Sequence, residues 1–239
     1  MITVTNVPIF HDALRKICQH SPIVYIEKTK NAFIISSTSS DELSYISTDF
    51  KETFFENWDD RIIGPFEIEA KTLYNISNMI KKTSTVKINI ENGTFNFEIS
   101  DYILKKIKLT EMKKVMQRPE PMKSLASINL KFKSENFIRT IRELSNIIDE
   151  TQLLLKKGTN KLVFSGKKLG LLVEVFSQEV FDFPFEEDIC IEFPIKSFQH
   201  LMPLLSTFKE LVLIFAPESP LIIEGDLENW RLIFAVSKI

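Results

Sequence analysis

The sequence is short of the residues that most often carry chemistry: six glycines, three histidines and two cysteines in 239 residues. With so little glycine there is no phosphate-cradling loop, and neither GxGxxG nor GxxxxGK[ST] occurs. His11, His20 and His200 stand apart, without the second histidine or the carboxylate spacing that marks a metal site or a nucleophilic triad. Cys18 and Cys190 are too few and too distant for a disulfide framework or a zinc site, and both are expected to be buried, reduced thiols. The carboxylate runs Asp59-Asp60 and Glu186-Glu187-Asp188 fall beside aromatic residues in loops and are expected to be solvated turns. The chain is therefore not expected to be an enzyme, and no metal or cofactor is expected.

Long apolar runs and a strong net charge are also missing. No stretch approaches the roughly 18 uninterrupted apolar residues of a membrane helix, and no basic patch followed by an apolar run opens the chain. The expectation is an intracellular protein without membrane contact. With Lys+Arg 30 against Asp+Glu 32, the formal charge is -2, so any nucleic-acid contact has to come from charge gathered on one surface. What the chain does have is apolar bulk: 44% hydrophobic residues and 20 Phe suffice for a substantial core in one large domain or two ordinary ones.

The sequence repeats itself. Phe10, Leu14, Arg15 and Ile17 align with Phe137, Ile141, Arg142 and Leu144, and Asn31–Ser36 resembles Asn160–Ser165 at almost the same offset. Phe66-Glu67-Ile68 followed by Lys71, Leu73, Ile76, Met79 and Ile80 parallels Ile191-Glu192-Phe193 followed by Lys196, Phe198, Leu201, Leu204 and Leu205. Matching blocks in the same order predict two like domains, residues 1–109 and 128–239, joined by a connector over 110–127.

Within each domain the pattern predicts α+β architecture, with two helices covering mostly antiparallel sheets. The first domain reads as a strand over Ile2–Val7, a helix over Pro8–Gln19, strands at Ile23–Glu27, Ala32–Ser37, Leu43–Thr48 and Gly64–Glu69, a helix over Lys71–Lys82, and strands at Val86–Glu91, Thr94–Ile99 and Tyr102–Leu109. The second repeats this, with helices over Glu135–Ile147 and Ile195–Thr207. The connector carries Pro119 and Pro121 and lacks periodicity. From Lys105 to Lys123 the chain has seven basic residues against two acidic ones, which fits either a solvated surface loop or a functional segment.

The helices carry basic residues away from their apolar stripes: Arg15 and Lys16; Lys71, Lys81 and Lys82; Arg139 and Arg142; Lys196 and, close by, Lys209. Two readings stay open. These residues form a mildly basic surface suited to phosphate backbones, or they are the ordinary solvated faces of amphipathic helices that also carry Asp12, Glu135 and Glu143.

Several stretches resemble the proliferating cell nuclear antigen (PCNA) family of DNA sliding clamps, including its archaeal members. Ser100-Asp101-Tyr102 stands where that family has SDY, and Glu135–Ile147 is similar to its GEFARICRDLSHI helix, both arginines included. Ser219–Glu224 resembles the VPLVVEY strand, and Ala235–Ile239 the terminal LAPKI. The resemblance implies two duplicated DNA-clamp domains in a ring of six, normally three chains, that encircles duplex DNA without sequence preference. The ring tethers DNA polymerase, flap endonuclease, DNA ligase and other enzymes, and is placed by a clamp loader. It implies that the basic residues named above face DNA, although Asn75 and Asn78 stand where the family has lysines.

The resemblance further implies a partner pocket at Leu43, Tyr45, Met112, Val115, Met116, Pro220, Val236, Ser237 and Ile239, and subunit contacts by strand addition through Ile103 and Ile107 on one chain and Leu171, Val173 and Val175 on the next. Ser237 replaces the family's tail proline, and Lys113-Lys114 occupies a connector that is commonly acidic there. The implied location is the cytoplasm or nucleoid of a prokaryote, or the nucleus of a eukaryote. The alternatives are one member of a heterotrimeric ring, a repair or checkpoint-type clamp subunit with altered partner choice, and an α+β enzyme with an unrecognised site.

Overall fold

Alternating apolar residues build short strands here, and helices pack against them in each unit. The structure is a computed structural model. It describes residues 1–91, 94–110, 112–121, 127–147, 150–156, 161–168, 171–179 and 189–238. It is a mixed α+β protein of mostly antiparallel sheets with few helices. Among the described residues, no helix is long and apolar enough to cross a membrane. The chain divides into two units, one of Met1–Glu120 with Leu227–Ile233, the other of Pro121–Asp226 with the residues from Phe234 onward. The connector is thus split at Glu120.

In the first unit, β1 (Ile2–Val4) leads into α1 (Val7–His20). Asn6 caps α1, its Oδ1 accepting from the Ile9 amide at 3.3 Å, and Pro8 suits the first turn, where an amide proton has no helical acceptor. That cap ends β1 at Val4, short of the expected Val7. The buried stripe of α1 is Phe10, Ala13, Leu14 and Ile17.

There follow β2 (Ile23–Lys28), β3 (Ala32–Thr38), β4 (Ser44–Lys51), a 3-10 turn, β5 (Phe55–Glu56) and β6 (Ile63–Glu69). Next come α2 (Ala70–Met79), β7 (Thr85–Glu91), β8 (Thr94–Ser100), β9 (Leu104–Leu109) and, in the connector, β10 (Lys113–Lys114). One sheet runs β5-β1-β7-β8-β9, and the other contains β10-β6-β2-β3-β4. Their inner faces meet through phenylalanines: Phe33 and Phe66 lie 6.2 and 6.1 Å from Phe95, and Phe50 lies 5.3 Å from Phe10 on α1.

The second unit follows the same order. After β11 (Ile128–Lys133) and α3 (Ser134–Ile147) come β12 (Glu150–Lys156), β13 (Lys161–Lys168), β14 (Leu171–Glu179) and β15 (Ile189–Pro194). Then α4 (Lys196–Gln199), α5 (Met202–Leu205), β16 (Glu210–Phe215), β17 (Leu221–Asp226) and β18 (Trp230–Val236) complete the chain. The pairings correspond as well as the order. β6-β2-β3-β4 has its counterpart in β15-β12-β13-β14, and β1-β7-β8-β9 in β11-β16-β17-β18. Phe198 centres the second core, 5.1 Å from Phe193, 5.2 Å from Phe234 and 6.3 Å from Phe137. Gly225 is required there, because a Cβ would sit 2.6 Å from the Phe208 ring.

Further expectations are corrected. The single helix expected over Ile195–Thr207 is two short ones, because Pro203 lacks an amide proton and its ring crowds the carbonyl of Gln199, where α4 ends. The helix expected to reach Lys82 stops at Met79. Ile80 turns extended and buries its side chain, and Lys81 and Ser84 close a turn by exchanging hydrogen bonds. Cys190 is exposed, since β15 alternates and turns Ile191 and Phe193 inward instead, whereas Cys18 is buried and its thiol is pushed up to about 12.

Asp59 is not a solvated turn. The inward alternation of β2, Val24 then Ile26, continues to Lys28, which is 2% exposed. Its Nζ donates to Asp59 Oδ1 at 3.1 Å, to Arg61 O at 2.8 Å and to the Asp59 carbonyl, and it lies 4.1 Å from the Trp58 ring centre. All three ammonium protons therefore have acceptors. The Arg61 guanidinium, 2.9 Å from Asp59 Oδ2, and then Lys28 hold the Asp59 carboxyl well below the usual carboxylate range. Residues Glu186 to Asp188 lie outside the described residues.

Asp59→Ala leaves a buried ammonium without its counter-charge and should cost about 3 kcal/mol or more in urea unfolding. The depressed carboxyl fixes the sign of the pH effect. Its stabilisation is complete above the unfolded value of about 4 and is lost as pH falls below it, so parent and variant should converge in acid.

Candidate nucleic-acid and partner interfaces

The helices place part of the expected basic set. Burying Phe10, Leu14 and Ile17 turns Arg15 and Lys16 toward the half-buried side of α1. Arg15 Nη2 donates to the Tyr74 hydroxyl at 3.2 Å, and the guanidinium carbon lies 5.5 Å from the Tyr74 ring centre. That hydrogen bond and charge lower the Tyr74 hydroxyl below its ordinary value. Lys71 is exposed in the first turn of α2, as are Asn75 and Asn78 further along. Gln19, His20, Lys71 and Tyr74 help to line an open cleft of about 480 Å³ where the end of α1 meets the start of α2.

The remaining basic residues are placed differently. Lys81 and Lys82 lie in the turn beyond α2, and Lys81 Nζ is 3.0 Å from Asp101 Oδ2. In the second unit Arg139 and Arg142 are exposed on α3, opposite the buried Phe137, Ile141 and Leu144. Arg139 Nη2 donates to Asn136 Oδ1 at 3.5 Å. Lys209 is exposed after α5 and not on a helix, its carbonyl accepting from the Ser134 amide at 3.0 Å. Lys196 opens α4, and its side chain lies outside the described residues.

The implied subunit contacts fall on edge strands. β9 ends one sheet and β14 another. Tyr102, Ile103 and Leu104 are 97%, 68% and 57% exposed beside that edge, and Ile107 is half-buried. Asp101 shapes the turn: its carboxylate accepts from the Ile103 amide and pairs with Lys81, which together hold it below the usual range. Leu171, Val173 and Val175 lie on β14, their side chains outside the described residues.

The implied partner residues are not uniformly open. Leu43 and Met116 are exposed, and Met112, Val115, Pro220 and Ser237 are half-buried. Val236 is buried at the end of β18, where it belongs to the core of the second unit, and Ile239 lies outside the described residues. Tyr45 is 6% exposed, so its ring is not an open pocket wall. Its hydroxyl accepts from Arg118 Nη1 at 2.7 Å.

Arg118 is the residue that sequence reasoning passed over, because it sits in a charge run that reads as solvent-facing. Its Nε donates to Glu27 Oε2 at 3.2 Å and its Nη2 lies 2.7 Å from Glu120 Oε1. The strand alternation of Tyr45, Ser47 and Asp49, three polar groups on one face of β4, is the only hint the sequence holds. Burial pushes the Asp49 carboxyl above the usual carboxylate range, against the opposing Ser47 hydroxyl at 3.0 Å and the Arg118 charge. Among the described residues, no three His, Cys, Asp or Glu side chains gather as a metal site.

The raised Asp49 carboxyl means that its ionised form is disfavoured by folding. That penalty is present above the folded value and vanishes below the unfolded value of about 4. Asp49→Asn should therefore melt higher than the parent at neutral pH, and the advantage should disappear as the pH falls below about 4, measured by thermal unfolding across pH.

Comparison with known proteins supplies no family. No family model matches the chain, and no curated protein matches it in sequence.

Proposed function

We propose that the chain is a subunit of a DNA sliding clamp of the PCNA type, a ring of duplicated domains that encircles duplex DNA and tethers polymerase and other DNA-processing enzymes without itself being a catalyst. The observation that carries this reading is the repeat of strand pairing as well as strand order. β1-β7-β8-β9 with β6-β2-β3-β4 in the first half of the chain corresponds, strand by strand, to β11-β16-β17-β18 with β15-β12-β13-β14 in the second half. Local periodicity alone does not impose the same non-local pairing twice.

Two further features support it. Arg15 and Lys71 in one unit, and Arg139 and Arg142 in the other, put positive charge on helix faces without any base-reading constellation. Such diffuse charge suits sliding, because phosphate contacts hold a protein on DNA without fixing its register to sequence. Among the described residues β9 and β14 are sheet edges that suit strand addition between chains, and the exposed Tyr102-Ile103-Leu104 segment gives that contact apolar surface to bury. The polar setting of Tyr45 favours the specialised form, a clamp subunit with altered partner choice, alone or within a heterotrimer.

A topological experiment separates a ring from an ordinary DNA-binding protein. Loaded by a clamp loader onto nicked circular duplex, the chain, with sister subunits where it needs them, should survive gel filtration in high salt and be lost once the circle is linearised. Equal loss from both forms contradicts the reading. Reversing Arg139 and Arg142 together to Glu should reduce clamp-dependent primer extension by about tenfold or more and flatten its salt dependence, with the unfolding midpoint unchanged.

A further inference from the structure

The connector meets the first unit as a bound peptide would. Lys113 and Lys114 add a short strand to β6, opposite Glu67 and Phe66, and the Val115 amide donates to Pro65 O at 3.1 Å. Beyond that augmented edge, Arg118 reaches across the sheet. It holds Glu27 on β2 at 3.2 Å and the Tyr45 hydroxyl on β4 at 2.7 Å, with its side chain only 13% exposed. In the sheet register β3 runs between them, Glu27 opposite Ile34 and Tyr45 opposite Thr38. Asp49 lies on the same face of β4 and feels Arg118 and, from β18, Arg231 as opposing cations. Extended backbone on a sheet edge followed by one charged anchor in a carboxylate seat is a complete recognition unit.

We infer that the outer face of β2 and β4 is a docking seat for an extended, arginine-bearing segment, that the connector fills it in cis, and that a partner docking beneath the connector brings a basic side chain to take the place of Arg118. An apolar plug that expelled Arg118 would leave Glu27 and Asp49 without that cation in a half-buried setting, and the Tyr45 hydroxyl without its charged donor. A guanidinium supplied by a partner restores the same bonds. The identity of the partner rests on the clamp reading, whereas the seat and its cis occupant do not.

Two synthetic peptides test it, one copying residues 112–120 and one with leucine in place of the arginine. The arginine peptide should bind the Arg118→Ala chain about tenfold or more tighter than it binds the parent, and tighter than the leucine peptide by a similar factor. Hydrogen exchange at the Val115 amide should accelerate by about tenfold or more in Arg118→Ala and by less in Tyr45→Phe, which removes only one of the Arg118 anchor's acceptors, while amides of β3 and α1 exchange as in the parent. Equal binding of the two peptides, equal binding to variant and parent, or unchanged Val115 exchange in both variants would overturn the inference. If the arginine peptide discriminates while retention on circular DNA fails, the seat stands and the clamp reading falls. If retention succeeds while the peptides bind equally, the reverse holds.

Discussion

Each unit depends on one constraint: the apolar inner faces of its sheets have to be covered by helices only a few turns long. α1 is placed by that requirement, and α2 packs beside it. Phe10, Ala13, Leu14 and Ile17 leave water together with Leu73 and Ile76, against strands that contribute Phe33, Ile35, Ile46 and Phe50. Fully burying aliphatic or aromatic side chains contributes about 1.5–3 kcal/mol apiece, far more than any surface ion pair. The orientation of the basic residues is a consequence of this packing. With the apolar stripe fixed inward, Arg15 and Lys71 have only the outward and flanking directions left, and α3 repeats the arrangement with Phe137, Ile141 and Leu144 inside and Arg139 and Arg142 outside.

Among the described residues, Lys28 and Arg118 are nevertheless drawn out of solvent, and they mark where the chain does more than fill a core. Lys28 has every proton accepted and sits against Trp58, so the loop of residues 57–62 is pinned to the end of β2. Arg118 is the corresponding pin for the connector, but its acceptors come from β2, β4 and the connector itself. The difference matters for function. The Lys28 site is closed around its ammonium, whereas Arg118 rests on a sheet face that an exchangeable segment could reach. A near-neutral protein can bind a polyanion provided its charge is partitioned in this manner, with carboxylates paired locally and helix-borne arginines left facing outward.

The elements with strong local periodicity were legible in the sequence: α1 from its Pro8 start, α3 from its stripe, and most strands of both units from alternation. Boundaries set by a single capping or helix-breaking residue were not. Asn6 satisfies an amide of α1 and so takes the place of a longer β1, and Pro203 divides a stripe that reads as one helix because the apolar spacing persists through the break. β5 was invisible because two residues carry no period, and β10 because Lys113-Lys114 has no apolar pattern at all. The Arg118 seat escaped for another reason. Its partners Tyr45 and Glu27 stand 73 and 91 residues away, and no local spacing announces contacts at that distance. Lys81 and Lys82 were assigned to a helix that ends before them, so they belong to the turn beyond α2.

The account's central claim is closure into a ring. Negative-stain electron microscopy of the purified chain, alone and mixed with candidate sister clamp subunits, tests it most directly. The account predicts closed particles of six similar domains around a central hole wide enough for duplex DNA. Isolated two-domain particles in every mixture, with no closed ring, would contradict it.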